Sequence, residues 1–156
     1  MAMIDKYALP EMSKIFSDEN RYQLMTDVAV TACEAMADIG QIPVEAYKDI
    51  KEKASYDVQR IREIESETRH NAVAFLTCLK EKIGPVGNYL HLGMASADMA
   101  DTTTALQVCQ AAELLQGKLA QLRLVLARLA QKYKYTLMMG RTHCTDEEPI
   151  TFGLKI

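Results

Sequence analysis

The segment "ALQVCQAAELLQGKLAQLRLVLARLAQKY", residues 105–133, contains the strongest structural pattern in this 156-residue chain. Its apolar positions alternate steps of three and four residues, which places them along one side of an α-helix. They are Ala105, Val108, Ala112, Leu115, Leu119, Leu122, Leu126, Leu129 and Tyr133. An a/d pattern sustained over about four heptads predicts a helix that packs against other helices. If Ser96 caps the helix and Tyr135 closes it, about 39 residues at ~1.5 Å each give a rod of roughly 60 Å.

The residues before this segment predict a series of shorter helices. Pro10, at a first helical position, opens a short helix at 10–17, and Ser17 can cap the next helix, which Gly40 ends. Further helical patterns follow at 43–54 and, as one or two helices, within 56–84. The expected buried positions are Tyr22, Met25, Ala29, Ala32, Met36 and Ile39 in one pattern and Ile61, Ile64, Ala72, Phe75 and Leu79 in another.

Residues 84–96 are the one extended, glycine-containing connector in the pattern, and they suggest a domain boundary. The expected fold is all-α, with a small N-terminal helical domain at 1–95. The start of a central bundle of long helices, truncated, is expected at 96–156. A helix as long as the one predicted here cannot bury its apolar stripe against a domain of this size. It requires partner helices from a longer chain or from other subunits.

The composition is that of an ordinary globular protein, with 49% hydrophobic and 25% charged residues. The net charge of −3 gives no electrostatic reason to expect binding to nucleic acid or to an anionic membrane. No apolar run approaches the ~18 residues of a membrane span, and the N-terminal sequence has no signal-peptide pattern. A cytoplasmic location is therefore expected.

The four cysteines indicate reduced thiols rather than a metal site or a disulfide framework. Cys33, Cys78, Cys109 and Cys144 are widely spaced, with no CxxC pair and no histidine at metal-binding spacing. Most of them are expected to be small apolar core residues. No metal and no cofactor is expected.

The three histidines, His70, His91 and His143, all lie at ends of helical segments or in connectors. For each one, a capping or partly buried hydrogen-bonding role is the ordinary interpretation. The alternative is chemical, because histidine is the residue type that exchanges a proton near neutral pH. In "GRTHC", Gly140 allows a turn that could present His143 to a substrate as an acid or a base.

The sequence "GMASAD", residues 93–98, allows two interpretations. Ser96 can simply be the N-cap of the long helix. The same helix N-terminus can also bind a carboxylate or a phosphate, since its N–H groups are free and Gly93 allows close backbone approach.

Four blocks taken together resemble, in order and spacing, the N-terminal third of adenylosuccinate lyases. That enzyme family is a branch of the fumarase/aspartase/argininosuccinate lyase superfamily. The blocks are "KYALPEMSKIFSDENRY" (6–22), "ETRHNAVAF" (67–75), "HLGMASADMADT" (91–102) and "GRTHCTDEEPITFGLK" (140–155). The resemblance implies a helical-bundle fold, a homotetramer and β-elimination that releases fumarate from a nucleotide substrate without a cofactor. It also implies a catalytic base on a serine-bearing loop beyond these residues, so this chain alone is expected to be inactive.

The resemblance also assigns roles to individual residues. His143 matches the general acid toward the leaving nitrogen, and Thr142 matches a substrate-holding residue beside it. His70 matches a second active-site histidine. The remaining positions match substrate-binding residues: Lys6 and Tyr7 at the nucleotide phosphate, Arg69 and Asn71 around His70, and Ala95 and Ser96 at a substrate carboxylate.

Several of these positions depart from the family pattern. Lys6 stands for Arg, which removes a bidentate contact to phosphate. Asn71 stands for Asp, Ala95 for Thr, and Cys144 for Gly, and Asp146 with Glu147 replaces residues that are typically His-Ala. Because Thr142, His143, His70 and Ser96 are kept, a subfamily with displaced contacts is the preferred explanation.

Two other functions remain open. One is a superfamily enzyme with a different substrate, of the argininosuccinate or carboxymuconate-cycloisomerase type. The Lys6–Tyr7 pair disfavours it, because a substrate without phosphate needs no such clamp. The other is a non-catalytic helical oligomerisation module, which the a/d pattern at 105–133 supports but which leaves the four polar blocks unexplained.

Overall fold

The structure is a computed structural model that describes residues 7–156. Its elements in chain order are α1 (Pro10–Ile15), α2 (Asp18–Asp38), α3 (Val44–Lys53), α4 (Val58–Thr68), α5 (Asn71–Ile83), a 3-10 helix (Pro85–Tyr89), α6 (Ser96–Lys132), β1 (Leu137–Thr142), β2 (Thr145–Thr151) and α7 (Phe152–Lys155). The expected helical fold is confirmed. None of the helices described is long and apolar enough to cross a membrane.

The chain divides into two compact units, one extending to Ala111 and the other running from Ala112 to Ile156. This division falls inside α6, whereas the domain boundary expected from sequence lies where α6 begins. The boundary at 95/96 therefore stays a prediction about how the intact protein is organised.

Local signals in the sequence explain the ends of the first helices. Pro10 is the first residue of α1, and the Ser17 side chain accepts a hydrogen bond from the N–H of Asn20 to cap α2. The Asp57 carboxylate accepts from the N–H groups of Gln59 and Arg60 and so caps α4. These side chains satisfy N–H groups that have no intrahelical acceptor.

The core of the first unit is built by α2 to α5 and the start of α6. The central residues, each at most 2% exposed, are Met25, Ala29, Cys33, Ile50, Ile61, Ala74, Phe75, Cys78, Leu79 and Met99. The predicted stripe of α4 and α5 is confirmed except that Ala72 is only partly buried. In α2 the prediction for Ile39 is wrong, because this residue is 69% exposed beyond the end of the helix. Ala32 is only partly buried, and its neighbour Cys33 is fully buried.

The connector at 84–96 is more ordered than its glycines suggested. It contains the 3-10 helix, and Leu90 just after it is 3% exposed and belongs to the core. Gly84 is the C-cap of α5, and its φ of 84° is a conformation that favours glycine. The prediction that this segment is extended is therefore wrong.

α6 has 37 residues, about 55 Å at ~1.5 Å per residue, and ends at Lys132 rather than Tyr135. Its first turns are buried through Met99, Thr103 and Gln107, which are spaced by four residues. The Gln107 amide donates to the Ile15 carbonyl oxygen at 2.8 Å. Val108, which belongs to the a/d pattern, is 55% exposed, so the packing in the first unit uses a different face of the helix.

The second unit contains the remainder of α6, a two-stranded antiparallel sheet and α7. β1 pairs with β2 from Leu137↔Thr151 to Thr142↔Thr145, with a bulge between Met139 and Arg141. Sequence reasoning predicted a turn here but no strands. Gly153 of α7 lies so close to the end of α6 that a Cβ would overlap the Ala130 carbonyl oxygen.

Candidate functional site

A cavity of about 400 Å³ in the first unit brings together four of the nine predicted site residues, Arg69, His70, Asn71 and Ser96. It is lined by Arg21, Met25, Arg69, His70, Asn71, Ala72, Ser96, Ala97, Met99 and Ala100. These come from α2, the α4–α5 junction and the first five residues of α6. The lining contains two arginines and one histidine but no carboxylate, so it suits an anionic ligand.

The junction between α4 and α5 positions the central histidine. Arg69 ends α4 in the left-handed conformation, at φ 54°, and His70 follows as the N-cap of α5. His70 Nδ1 accepts a hydrogen bond from the Val73 N–H at 3.3 Å. In the neutral ring the proton must then be on Nε2, which can donate to a ligand. One residue thus caps a helix and presents a donor.

Asn71 is held by three partners at the entrance to α5. Its Oδ1 accepts from Arg21 Nη2 at 2.8 Å. Its Nδ2 donates to the Tyr22 hydroxyl at 2.9 Å and to Glu65 Oε2 at 3.1 Å. The Glu65 carboxylate can only accept, so the NH₂ group must face Glu65 and the amide oxygen must face Arg21.

Ser96 is the first residue of α6 rather than the residue before it, so the prediction that it is the N-cap is wrong by one position. Instead, the Asp98 carboxylate accepts from the Ala95 N–H at 2.8 Å, reaching back as in half of a capping box. This contact leaves the exposed Ser96 hydroxyl free of a capping role, and Ser96 lines the cavity. Ala95 is exposed beside it.

Thr142 and His143 belong to the second unit, at the tip of the β1–β2 hairpin. His143 (φ 50°) and Cys144 (φ 65°) are the two loop residues between the paired residues Thr142 and Thr145. Positive φ at both positions is the type I′ hairpin conformation, which favours Asn-Gly. Both side chains are exposed, so the turn presents the His143 imidazole to solvent.

The acidic residues after the turn hold the polar residues before it. Thr142 Oγ1 hydrogen-bonds Glu147 Oε1, and Arg141 Nε forms an ion pair with Asp146 Oδ1 at 2.6 Å. Asp146 and Glu147, the two residues that depart from the family pattern, are thus the partners of Arg141 and Thr142. In this state the Thr142 hydroxyl is engaged within the hairpin.

The phosphate-contact predictions at the N-terminus have different outcomes. Lys6 lies outside the described residues. Tyr7 is 77% exposed and is not among the residues that line the cavity of the first unit. Their roles stay predictions.

Arg21 is the cavity residue that sequence reasoning missed. It lies on α2, and no motif marks it, because a single arginine on an amphipathic helix is ordinarily a surface residue. Its position next to Asn71 depends on the packing of α2 against the α4–α5 junction. Inspection of "DENRY" alone could not have revealed it.

His91 and Cys33 are two further reactive side chains in the first unit. The Nε2 atom of His91 is buried without a hydrogen-bond partner among residues 7–156. Burial raises the pKa of the Cys33 thiol, which keeps it protonated as a core residue. Within the described part of the chain, no cluster of three or more His, Cys, Asp or Glu side chains could hold a metal ion.

Known proteins that this chain resembles in sequence are lyases. The family model described as "Lyase" matches residues 5–156. Adenylosuccinate lyase of Synechocystis sp. is 46% identical over 154 residues, covering 99% of this chain and 36% of that protein. The Bacillus subtilis adenylosuccinate lyase is 44% identical over the same length, again with 99% of this chain and 36% of the relative covered. The chain thus spans about a third of the length of these relatives.

Solved structures of similar fold come from the same group of enzymes. Fumarate lyase from Mesorhizobium sp. BNC1 has a TM-score of 0.87 and 29% identity, covering 92% of this chain and 35% of that chain. The 3-carboxy-cis,cis-muconate lactonizing enzyme from Pseudomonas putida has a TM-score of 0.86 and 30% identity, covering 96% and 36%. With its whole length from residue 5 matched, this chain belongs to the lyase family.

Proposed function

We propose that the polypeptide containing this chain, at the full length of its relatives, is an adenylosuccinate lyase. It would release fumarate from adenylosuccinate and from the succinylaminoimidazole-carboxamide ribotide of purine biosynthesis. The main support is the cavity in which Arg69, His70, Asn71 and Ser96 meet although 27 positions separate the first from the last. A lining with basic but no acidic side chains suits a substrate that carries carboxylates and a phosphate.

The proposed reaction is a β-elimination. A base from outside residues 1–156 removes a proton from the carbon next to the C–N bond. The electron pair left behind forms the double bond of fumarate as the C–N bond breaks. His143 gives its proton to the departing nitrogen, and Thr142 orients the substrate. Charge that develops on the substrate carboxylate is stabilised by Ser96 and by the N–H groups at the start of α6.

Exchange of the proposed acid tests this mechanism. In the full-length polypeptide, His143→Gln is expected to lower kcat for fumarate release by about 10²- to 10⁴-fold, because glutamine cannot donate a proton in this way. Fumarate is measured by its ultraviolet absorbance. Cys144→Ala, at the next residue of the same turn, is the control and keeps wild-type turnover. Undiminished turnover in His143→Gln would refute the assignment, and fumarate release by residues 1–156 alone would refute the need for an external base.

A second candidate is a cycloisomerase of the carboxymuconate type. It is favoured by the structural likeness to enzymes of that activity, at 28–30% identity. The adenylosuccinate lyases are closer in sequence, at 44–46% identity. Comparing adenylosuccinate, argininosuccinate and carboxymuconate as substrates of the full-length wild-type polypeptide separates the candidates.

Homotetramer formation and a cytoplasmic location complete the proposal. The support for self-association is the exposed apolar pattern of α6 in the second unit, where Leu115, Leu119 and Leu122 are more than half exposed. Exposed apolar area of this kind favours association. Light scattering of the 156-residue chain should show oligomers, which Leu119→Ser with Leu122→Ser should weaken. A monomer at high concentration would count against association through this face.

A further inference from the structure

The first unit contains a cation at the cavity that the family resemblance does not assign. We infer that Arg21 binds an anionic group of the ligand and that Asn71 is the positioning residue that keeps the Arg21 charge available to it. This inference depends on the proposed function only for the identity of the ligand. The shared chemistry is an anionic oxygen group, either a carboxylate or a phosphate.

The geometry around Arg21 gives its charge no counter-ion within the described part of the chain. Arg21 Nη2 donates to the neutral Asn71 amide at 2.8 Å, and the Arg21 Cζ lies 5.7 Å from the centre of the Tyr22 ring. No carboxylate lies within ion-pair distance of Arg21 among residues 7–156. A guanidinium has five N–H donors, so most remain for a ligand in the cavity.

The identity of residue 71 determines this state. Its Nδ2 lies 3.1 Å from a Glu65 carboxylate oxygen. At that distance a carboxylate at position 71 would repel the Glu65 carboxylate. An aspartate would also pair with Arg21 and cancel its charge. Asparagine satisfies Glu65, Tyr22 and Arg21 at once, and it fixes the direction of the guanidinium without neutralising it.

The other cavity groups complete a site for an anion. Arg69 supplies a second guanidinium and His70 a free Nε2, while Met25 and Met99, both at most 2% exposed, form apolar walls. The first-turn N–H groups of Asn71, Ala72, Ser96 and Ala97 have no intrahelical acceptor. Two helix N-termini and three basic side chains therefore border one cavity, and Arg21 is the basic residue that comes from α2.

Anion titration of the 156-residue chain tests the inference without an activity assay. Inorganic phosphate and fumarate are titrated separately by calorimetry, at ionic strength held constant with chloride. Arg21→Gln is expected to weaken binding of at least one anion by about 10- to 100-fold, the size of a lost hydrogen bond to a charged group. Arg21→Lys should recover part of the loss. The anion affected identifies whether the group bound is a phosphate or a carboxylate.

Asn71→Asp tests the positioning role. It keeps the side-chain size but should weaken the same anion by a similar factor, because the new carboxylate neutralises Arg21. Two control variants make the same charge changes outside the cavity and should bind like wild type. Arg62→Gln removes a cation on α4 that pairs with Asp18, and Gln59→Glu adds an acid at an exposed position of α4.

Each outcome of the titration decides the inference. Wild-type binding in Arg21→Gln, or no binding of either anion by the wild type, overturns the role of Arg21. Wild-type binding in Asn71→Asp overturns the role of Asn71. Thermal unfolding of each variant shows whether a loss of anion binding reflects misfolding. If Arg21→Gln is misfolded, anion binding by Arg21→Lys decides the role of Arg21. In the full-length polypeptide the Arg21→Gln loss should appear in KM more than in kcat. If the wild type releases no fumarate, the proposed function fails, while the titration still decides the role of Arg21.

Discussion

In the unit that extends to Ala111, Phe75 and Ile61 are completely buried, whereas in the unit that begins at Ala112, Leu119 and Leu122 are 63% and 52% exposed. Both sets were identified from the same kind of helical periodicity. The first unit has enough helices around its apolar positions to remove them from water within the chain. The second has one long helix, a hairpin and a four-residue helix, and these cannot cover the pattern. Periodicity therefore predicts which face is apolar, but it does not predict what covers that face.

Truncating one large apolar side chain in each unit should give the largest difference in the free energy of unfolding. Phe75→Ala should destabilise the chain by about 3–5 kcal/mol, since Phe75 is fully buried and stacks on Tyr22 at 5.8 Å. Leu119→Ala should change the free energy of unfolding by less than about 0.5 kcal/mol in dilute solution. Urea unfolding measures both. Equal losses would mean that the two units bury their apolar residues alike.

Two glycines of the second unit sharpen the contrast between its packed and its open parts. A Cβ at Gly140 would meet the Glu148 carbonyl oxygen at 2.7 Å, at the bulge of the hairpin. Gly140→Ala should therefore destabilise by about 1–3 kcal/mol. Gly117, on α6, has nothing within 4 Å of such an atom, so Gly117→Ala should stabilise by about 0.5–1 kcal/mol. Hydrogen exchange of residues 137–151 measures the effect of Gly140→Ala on the hairpin. Loss of protection in Gly117→Ala instead would contradict the predicted difference between the two glycines.

The hairpin turn should be stabilised by the residue that the family pattern has at position 144. Cys144→Gly is expected to stabilise by about 1 kcal/mol, because glycine adopts φ 65° without the Cβ clash of an L-residue. Cys144→Ala keeps that clash while removing the thiol, and it should leave the stability unchanged. Thermal unfolding monitored at the hairpin distinguishes the two. A gain in the alanine variant would show that the thiol, not the backbone, is unfavourable.

The smallest effect concerns an ion pair on the surface of the first unit. Hydrogen bonds and the ion pair with Arg60, at 2.7 Å, lower the pKa of Glu81. The stabilisation is fully present above the unfolded pKa of about 4.3 and is lost as the pH falls through the lower folded pKa. The Tm difference between wild type and Glu81→Gln should therefore be small at neutral pH and vanish in acid. Because the pair is exposed, added salt should also reduce it. A difference that grows in acid would contradict the pairing.

The sequence predicted the helices of the first unit well, because caps and periodicity act locally. Ser17 and Pro10 mark helix starts that the structure confirms. The errors have two sources. Ile39 lies past the end of α2 and is exposed, so the helical pattern was extended one residue too far. Residues 84–96 contain a 3-10 helix and a core residue, Leu90, neither of which the local pattern indicates. The strands at 137–151 were missed because their short polar and apolar runs resemble a turn between helices.

The candidate site shows the same division. Motif blocks in the sequence pointed to His70, Ser96 and His143, each at a junction between elements, where local signals are strong. The amino-acid sequence thus determined which residue types stand at the helix starts and at the hairpin turn, since these depend on neighbours along the chain. The structure decided that Arg21 and Asn71 meet at one cavity, and that Asp146 and Glu147 engage Arg141 and Thr142. The Arg21–Asn71 contact spans 50 positions, and only the packing of helices brings such residues together, so no local pattern records it.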